Sequence, residues 1–136
     1  MGKLHLEIVT PAKIMVSQDV DVVVAPGSLG EFGVLEGHVP FLSGIVPGEL
    51  RYTVDNKTEY LAVTSGFAEV SDDNVSILVD AAEKASDIDV DRAKQAVERA
   101  SERLAKDRSA EELDFIRAEA ALKRAMMRIK VAEKIQ

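Results

Sequence analysis

All four prolines (Pro11, Pro26, Pro40, Pro47) and all eight glycines fall at or before residue 66, and none follows. The apolar period changes a little further on. Up to about residue 84, apolar residues recur at every second position, as on one face of a strand. After Ala85-Ser86-Asp87-Ile88-Asp89-Val90-Asp91-Arg92-Ala93 they recur every three to four, as on one face of a helix. A chain with this switch folds into two architectures, strands first and helices second. We therefore read residues 1–84 as one domain and residues 85–136 as another, in an α+β arrangement.

In the first part, strands are expected wherever alternation runs between turn signals. These are residues 4–9, 19–25 (stopping at Pro26-Gly27), 50–54, 58–63, 67–70 and 75–79, with shorter ones at 13–16 and 32–35. Asp55-Asn56-Lys57 and Asp72-Asp73-Asn74 are hairpin turn signals. Many short strands with frequent turns predict an antiparallel β-sandwich or barrel.

In the second part, Val90, Ala93, Val97, Ala100 and Leu104 form one helical stripe, with Asp87 or Asp89 available as its cap. Ala105-Lys106-Asp107-Arg108 reads as a polar link. Ser109-Ala110-Glu111-Glu112 then reads as a capping box. A second stripe follows at Phe115, Ala118, Leu122, Ala125, Ile129 and Ala132. Alanine-rich stripes permit close approach, so an antiparallel two-helix hairpin is expected.

Composition limits what such a chain does. There is no Cys, which excludes disulfides and Cys-ligated metals and fits a cytosolic compartment. No run approaches the ~20 apolar residues of a membrane span, and the first seven residues lack a signal-peptide core. Residues 1–84 hold 5 Lys and Arg against 13 Asp and Glu, whereas residues 85–136 hold 12 against 11. An acidic body with a basic tip argues against nucleic-acid binding and allows a local acidic partner. No Gly-x-Ser-x-Gly, HExxH or nucleophile–base pattern is present, so no catalytic residue and no metal site is assigned.

Two stretches remain that could form sites. The run Gly30-Glu31-Phe32-Gly33-Val34-Leu35-Glu36-Gly37-His38-Val39-Pro40 carries three glycines within eight residues, which favour tight turns and close backbone approach. The second stretch is the root of the hairpin. If the link centres near residue 108, Arg92 lies level with Arg124, and Ile88 or Asp89 with Arg128; Arg99 is two turns from Arg92. Guanidiniums at one height need an anion between them, and a helix start offers N–H groups to it. The spacing admits either a polyphosphate there or an internal ion-pair network, for example Asp89 with Arg128.

Over essentially its whole length the sequence resembles the epsilon subunits of bacterial F-type ATP synthases. The resemblance rests on Val9-Thr10-Pro11, the Gly30–Pro40 run, Ser65-Gly66-Phe67-Ala68-Glu69-Val70 and the two-helix C-terminus. It implies a ten-stranded N-terminal sandwich and a mobile hairpin. It implies a non-catalytic place in the central stalk, bound to the gamma subunit and seated on the c ring. Such a subunit is peripheral to the cytoplasmic face of the bacterial cell membrane. The family couples proton flow to ATP synthesis, and its hairpin extends to meet the alpha and beta catalytic subunits and inhibit ATP hydrolysis.

By the same resemblance, Glu31, Gly33 and His38 match the loop that faces the c ring, with Glu36 a departure where relatives often carry Pro. Glu83, Ile88, Asp89, Arg92, Ala93, Arg99, Arg124 and Arg128 match a motif with which some members bind ATP. The resemblance thus favours an anion at the hairpin root, with ATP, with or without Mg²⁺, as a regulatory ligand and no cofactor required. Two other readings compete. A free-standing nucleotide-binding sensor would leave the Gly30–Pro40 run without a purpose. An unrelated ligand-binding sandwich would want more than this chain's six aromatic residues.

Overall fold

A computed structural model describes residues 3–106 and 112–135. Its contacts divide the chain into two compact units, Met1–Lys84 and Ala85–Gln136.

The first unit contains β1 (Leu4–Val9), β2 (Ile14–Val20), β3 (Val22–Gly27), β4 (Gly30–Leu35), β5 (Phe41–Ile45), β6 (Gly48–Val54), β7 (Lys57–Val63), β8 (Gly66–Ser71), β9 (Asn74–Val79) and β10 (Ala82–Lys84). The strands form two five-stranded halves. One runs β10-β7-β6-β3 with β4 on the far edge of β3; the other runs β5-β8-β9-β1-β2. A single paired position, Gly27 opposite Ile45, joins them. Neighbouring strands are antiparallel except β1 and β9. Alternation aims one face of each half inward. Leu4, Leu6, Ile8, Val20, Val23, Leu50, Leu61 and Ile77 are fully buried in one core, and each such side chain contributes roughly 1.5–3 kcal/mol over its exposed state. This is the expected β-sandwich.

Several boundaries differ from the sequence reading. Residues 19–25 are not one strand. The chain turns at Asp21, so Asp19 and Val20 pair with β1 while Val22 onward pairs with β6. Asp21 holds this corner with both ends: its N–H donates to the Thr53 carbonyl at 2.8 Å, and its carboxylate accepts the Asp55 N–H at 3.0 Å. Pro26-Gly27 does not stop β3 either. Pro26 lies where β3 leaves β6 and takes up β5, so its missing N–H falls at a gap in the ladder. Strands β5 and β10 were not expected. β5 (Phe-Leu-Ser-Gly-Ile) buries only Ile45 fully, and β10 has three residues.

The two Asp-led turns are two-residue loops. Asp55 and Asn56 have φ of 49° and 67°, and Asp72 and Asp73 have 50° and 61°. Positive φ at both central positions matches the right-handed twist of the flanking strands. Lys57 and Asn74 already belong to the following strands.

In the second unit a 3₁₀ turn at Ala85–Asp87 leads into α1 (Val90–Lys106), followed by α2 (Glu112–Glu133). Asp89, not Asp87, caps α1: its Oδ1 accepts the Arg92 N–H at 3.1 Å. The 3₁₀ turn has already taken Asp87. α1 and α2 pack together, and α2 also meets the 3₁₀ turn that precedes α1, as an antiparallel pair requires. Ala93 and Ala100 are buried on α1, and Ala118, Ala125 and Ala132 on α2. Small side chains at the seam let the helix axes come close. Phe115, expected in the stripe, is 48% exposed, while Val131, outside it, is 1% exposed. Ala105 and Lys106 continue α1 rather than beginning the link. Asp107, Arg108 and the capping box from Ser109 lie outside the described residues.

Candidate functional site

Glu31 and Gly33 are two apart on β4, so their faces coincide, and both are exposed. Glu31 is not a lone acid. Across β3, the Arg51 guanidinium donates to both of its carboxylate oxygens, at 3.1 and 3.2 Å, and to Glu49 at 3.3 Å. The pair with Glu31, and then the charge of Glu49, hold the Arg51 proton more tightly than usual. The sequence reading missed Arg51. Cross-strand register is what carries it there: Arg51 lies opposite Val24, which lies opposite Gly33.

The glycines of this run have separate causes. Gly30 and Gly37 have φ of 122° and 81°, where side chains are strained. Gly33 has no such need: a Cβ built there comes no closer than 3.8 Å to any neighbour. It stands mid-strand rather than in a turn.

His38 follows β4 in a fastened loop. Its N–H donates to the Leu35 carbonyl at 3.1 Å, and its Nδ1–H donates to the Val39 carbonyl at 2.7 Å. The Gly37 N–H donates to the Asp73 carboxylate at 2.7 Å. The His38 ring meets Phe41 edge-on at 5.8 Å, and Phe41 meets Phe32 at 5.1 Å. The imidazole is therefore oriented by main chain and aromatic neighbours rather than by an acid–base partner.

An apolar row crosses the outer face of the second half-sheet. Register places Gly44, Phe67, Leu78, Val9 and Ile14 side by side over β5, β8, β9, β1 and β2. Phe67, Leu78 and Ile14 are 64%, 53% and 62% exposed. Contiguous exposed apolar surface of this kind marks a protein contact more often than a bare surface. No helix of the described residues is long and apolar enough to cross a membrane.

The motif residues at the hairpin root divide by role. Ile88 and Ala93 are buried and anchor the start of α1. Asp89 caps it, accepting one of the first-turn N–H groups. Arg92 and Arg99 are exposed along α1, Arg124 is exposed on α2 and Arg128 is half-buried there. Glu83 lies in β10, opposite Ala62.

The structure places Arg124 in a groove with Arg103, Asp114, Phe115, Arg117, Ala118 and Ala121. Among the described residues that line it, three are arginines and one, Asp114, is an acid. None of the three is held in an ion pair among the described residues. Arg103 and Arg117 were not in the expected set. Level-counting does not bring them to Arg124, since a link centred near residue 108 sets Arg103 level with residue 113 and Arg117 level with Arg99.

Comparison with known proteins agrees with this architecture. Residues 3–85 match the family described as "ATP synthase, Delta/Epsilon chain, beta-sandwich domain", and residues 86–133 match "ATP synthase, Delta/Epsilon chain, long alpha-helix domain". A protein of Syntrophobacter fumaroxidans named "ATP synthase epsilon chain" is 55% identical over 132 residues, 97% of each chain. One of Nitratidesulfovibrio vulgaris strain DP4 with the same name is 53% identical over 128 residues, 94% of each chain.

Among solved structures, a chain of the Euglena gracilis mitochondrial ATP synthase (OSCP, F1 and c-ring) superposes with a TM-score of 0.71 at 24% identity. The match covers 99% of this chain and 80% of that one. A chain of the Tetrahymena thermophila mitochondrial ATP synthase central stalk and c-ring gives 0.61 at 19%, covering 98% and 96%. At these identities the likeness concerns the fold. With two family domains matched end to end over residues 3–133 and relatives identical at half their positions, the chain belongs to the ATP synthase delta/epsilon chain family.

Proposed function

We propose that this chain is a non-catalytic rotor subunit in the central stalk of a bacterial F-type ATP synthase, peripheral to the cytoplasmic face of the cell membrane. In this role it helps couple proton translocation to ATP synthesis. The observation that carries the reading is the near-complete match, over both domains, to relatives named ATP synthase epsilon chain. The sandwich binds the gamma subunit and the c ring. Its exposed apolar row through Phe67, Leu78 and Ile14 supports a protein partner. The exposed Gly33, which the fold itself leaves room to enlarge, supports close approach of a partner beside Glu31 and His38.

The hairpin is the regulatory element. When extended, it reaches the alpha and beta subunits and inhibits ATP hydrolysis. When folded, it binds ATP through Asp89, Arg92, Arg99, Arg124 and Arg128, with Glu83, Ile88 and Ala93 completing the motif. The gathering of Arg103, Arg117 and Arg124 among the described residues of one groove supports an anionic ligand. ATP favours the folded hairpin only by binding it more tightly than the extended one. The shift is RT ln(1 + [L]/Kd), about 2.7 kcal/mol at ~100 times Kd.

Removal of residues 88–136 tests the division of roles. Gamma binding stays intact and ATP hydrolysis by the assembled complex rises. A truncated chain that no longer binds gamma would show the roles to be wrongly divided.

A further inference from the structure

The β8–β9 turn does more than reverse the chain. Asp72 and Asp73 both occupy the left-handed region, with φ of 50° and 61°. Gly serves such positions at least as well as Asp, so the turn alone does not require a carboxylate. Asp73 uses its polar groups elsewhere. Its carbonyl accepts the His5 N–H at 2.9 Å, which ties it to the start of β1. Its Oδ1 accepts the Gly37 N–H at 2.7 Å, across 36 residues of sequence. A carboxylate that accepts an amide at this distance makes a charge-assisted bond, stronger than a neutral one.

Gly37 is the residue from which His38 leaves the end of β4, and at φ 81° it has a backbone that glycine alone adopts easily. Its N–H lies in the Glu36–Gly37 peptide plane, which the Asp73 bond fixes, and the His38 N–H on the Leu35 carbonyl fixes the next plane, so the two bonds together set how His38 departs. The other two-residue turn offers a contrast. Among the described residues, the Asp55 carboxylate meets Lys3 at 3.3 Å rather than the Gly30–Pro40 run.

We propose that Asp73 is a positioning residue that holds the Gly37-His38 segment in the conformation presented to a partner. The proposal rests on the reading of that segment as a c-ring contact. The two can fail separately.

The test uses the full-length chain. In Asp73→Gly, the turn keeps its backbone preference and loses only the carboxylate. Solvent exchange at the Gly37 amide, followed by NMR, rises about tenfold or more, while amides within β8 and β9 keep their rates. Asp73→Asn retains an Oδ1 acceptor and stays within about threefold of the parent. Asp55→Gly leaves Gly37 unchanged. Unchanged Gly37 exchange in Asp73→Gly would overturn the proposal. So would an increase shared equally by the β8 and β9 amides, because that reports a lost turn. Dissociation from a purified gamma subunit–c-ring rotor is measured on the same variants, and Asp73→Gly leaves it about threefold faster or more. If Gly37 loosens but dissociation does not change, Asp73 still positions the loop, and the assignment of the loop to the c ring is what fails.

Discussion

Arg51 grips both carboxylate oxygens of Glu31, at 3.1 and 3.2 Å, from a strand that is not the neighbour of Glu31's own. β3 lies between them. The geometry is the bidentate fork that guanidinium and carboxylate favour. Yet Glu31 is 53% exposed at its side chain, so water screens the pair. A double-mutant cycle on Arg51→Ala and Glu31→Ala is expected to give a coupling of about 0.2–1 kcal/mol by urea denaturation. A coupling well above this would mean that the pair is shielded from solvent in a way the exposure does not indicate.

Two glycines separate folding from function. A Cβ at Gly66 would run into the Leu78 carbonyl of the adjacent strand, so Gly66→Ala is expected to cost about 1–3 kcal/mol of stability. A Cβ at Gly33 meets nothing closer than 3.8 Å, so Gly33→Ala stays within about 0.5 kcal/mol of the parent. If a partner approaches there, Gly33→Ala weakens binding to the gamma subunit–c-ring rotor without loss of stability. Equal destabilisation by both substitutions would remove the argument.

His5 gives the sandwich a pH dependence with a definite sign. Its Nδ1 lies 3.0 Å from Asp19 and its Nε2 3.4 Å from Glu7. The hydrogen bond with Asp19 raises the imidazole pKa above its ordinary 6.5, against desolvation, which lowers it, and with lesser help from Glu7. A group with its pKa raised on folding stabilises the protein fully below the unfolded value. That contribution is lost as pH rises through the folded value. The stability difference between the parent and His5→Gln is therefore expected to be larger at about pH 5.5 than at about pH 9. Equal differences at both pH values, from urea midpoints, would show that the two carboxylates do not hold the imidazolium.

At the hairpin, cap and ligand roles can be told apart. Asp89→Ala removes the acceptor of the Arg92 N–H and is expected to cost about 1 kcal/mol, seen as earlier loss of helical circular dichroism on heating. Asp89→Asn keeps the cap. Arg92→Ala and Arg124→Ala leave the helices intact, because both side chains are exposed. Each is expected to weaken ATP binding to the full chain by about tenfold or more in calorimetry, the loss of a charge-assisted bond. Unchanged affinity in both would sink the nucleotide site.

What was legible beforehand follows from the range of the interactions. The period of apolar residues reports which face of an element is buried, so β1, β9 and both helical stripes could be read directly. Turn chemistry is also local, and Asp55-Asn56 and Asp72-Asp73 were recognisable as turns from residue type alone. Phe115 misled because a stripe records periodicity and not depth: near the start of α2 it lines a groove rather than the seam. β5 was hidden because a strand with Ser, Gly and one fully buried side chain has almost no pattern to read.

The sequence by itself determined that strands precede helices, where two hairpins turn and which helix faces carry alanine. Each of these depends on residues within a few positions of one another. Only the tertiary structure decided that the chain turns a corner at Asp21, that Arg51 neutralises Glu31, that Asp73 reaches Gly37 and that Arg103 and Arg117 join Arg124. Those partners are brought together by strand register and helix packing over tens of residues. One-dimensional periodicity does not encode such distances, because a shift of register by one residue would leave every local pattern intact while turning each strand's side chains to the opposite face.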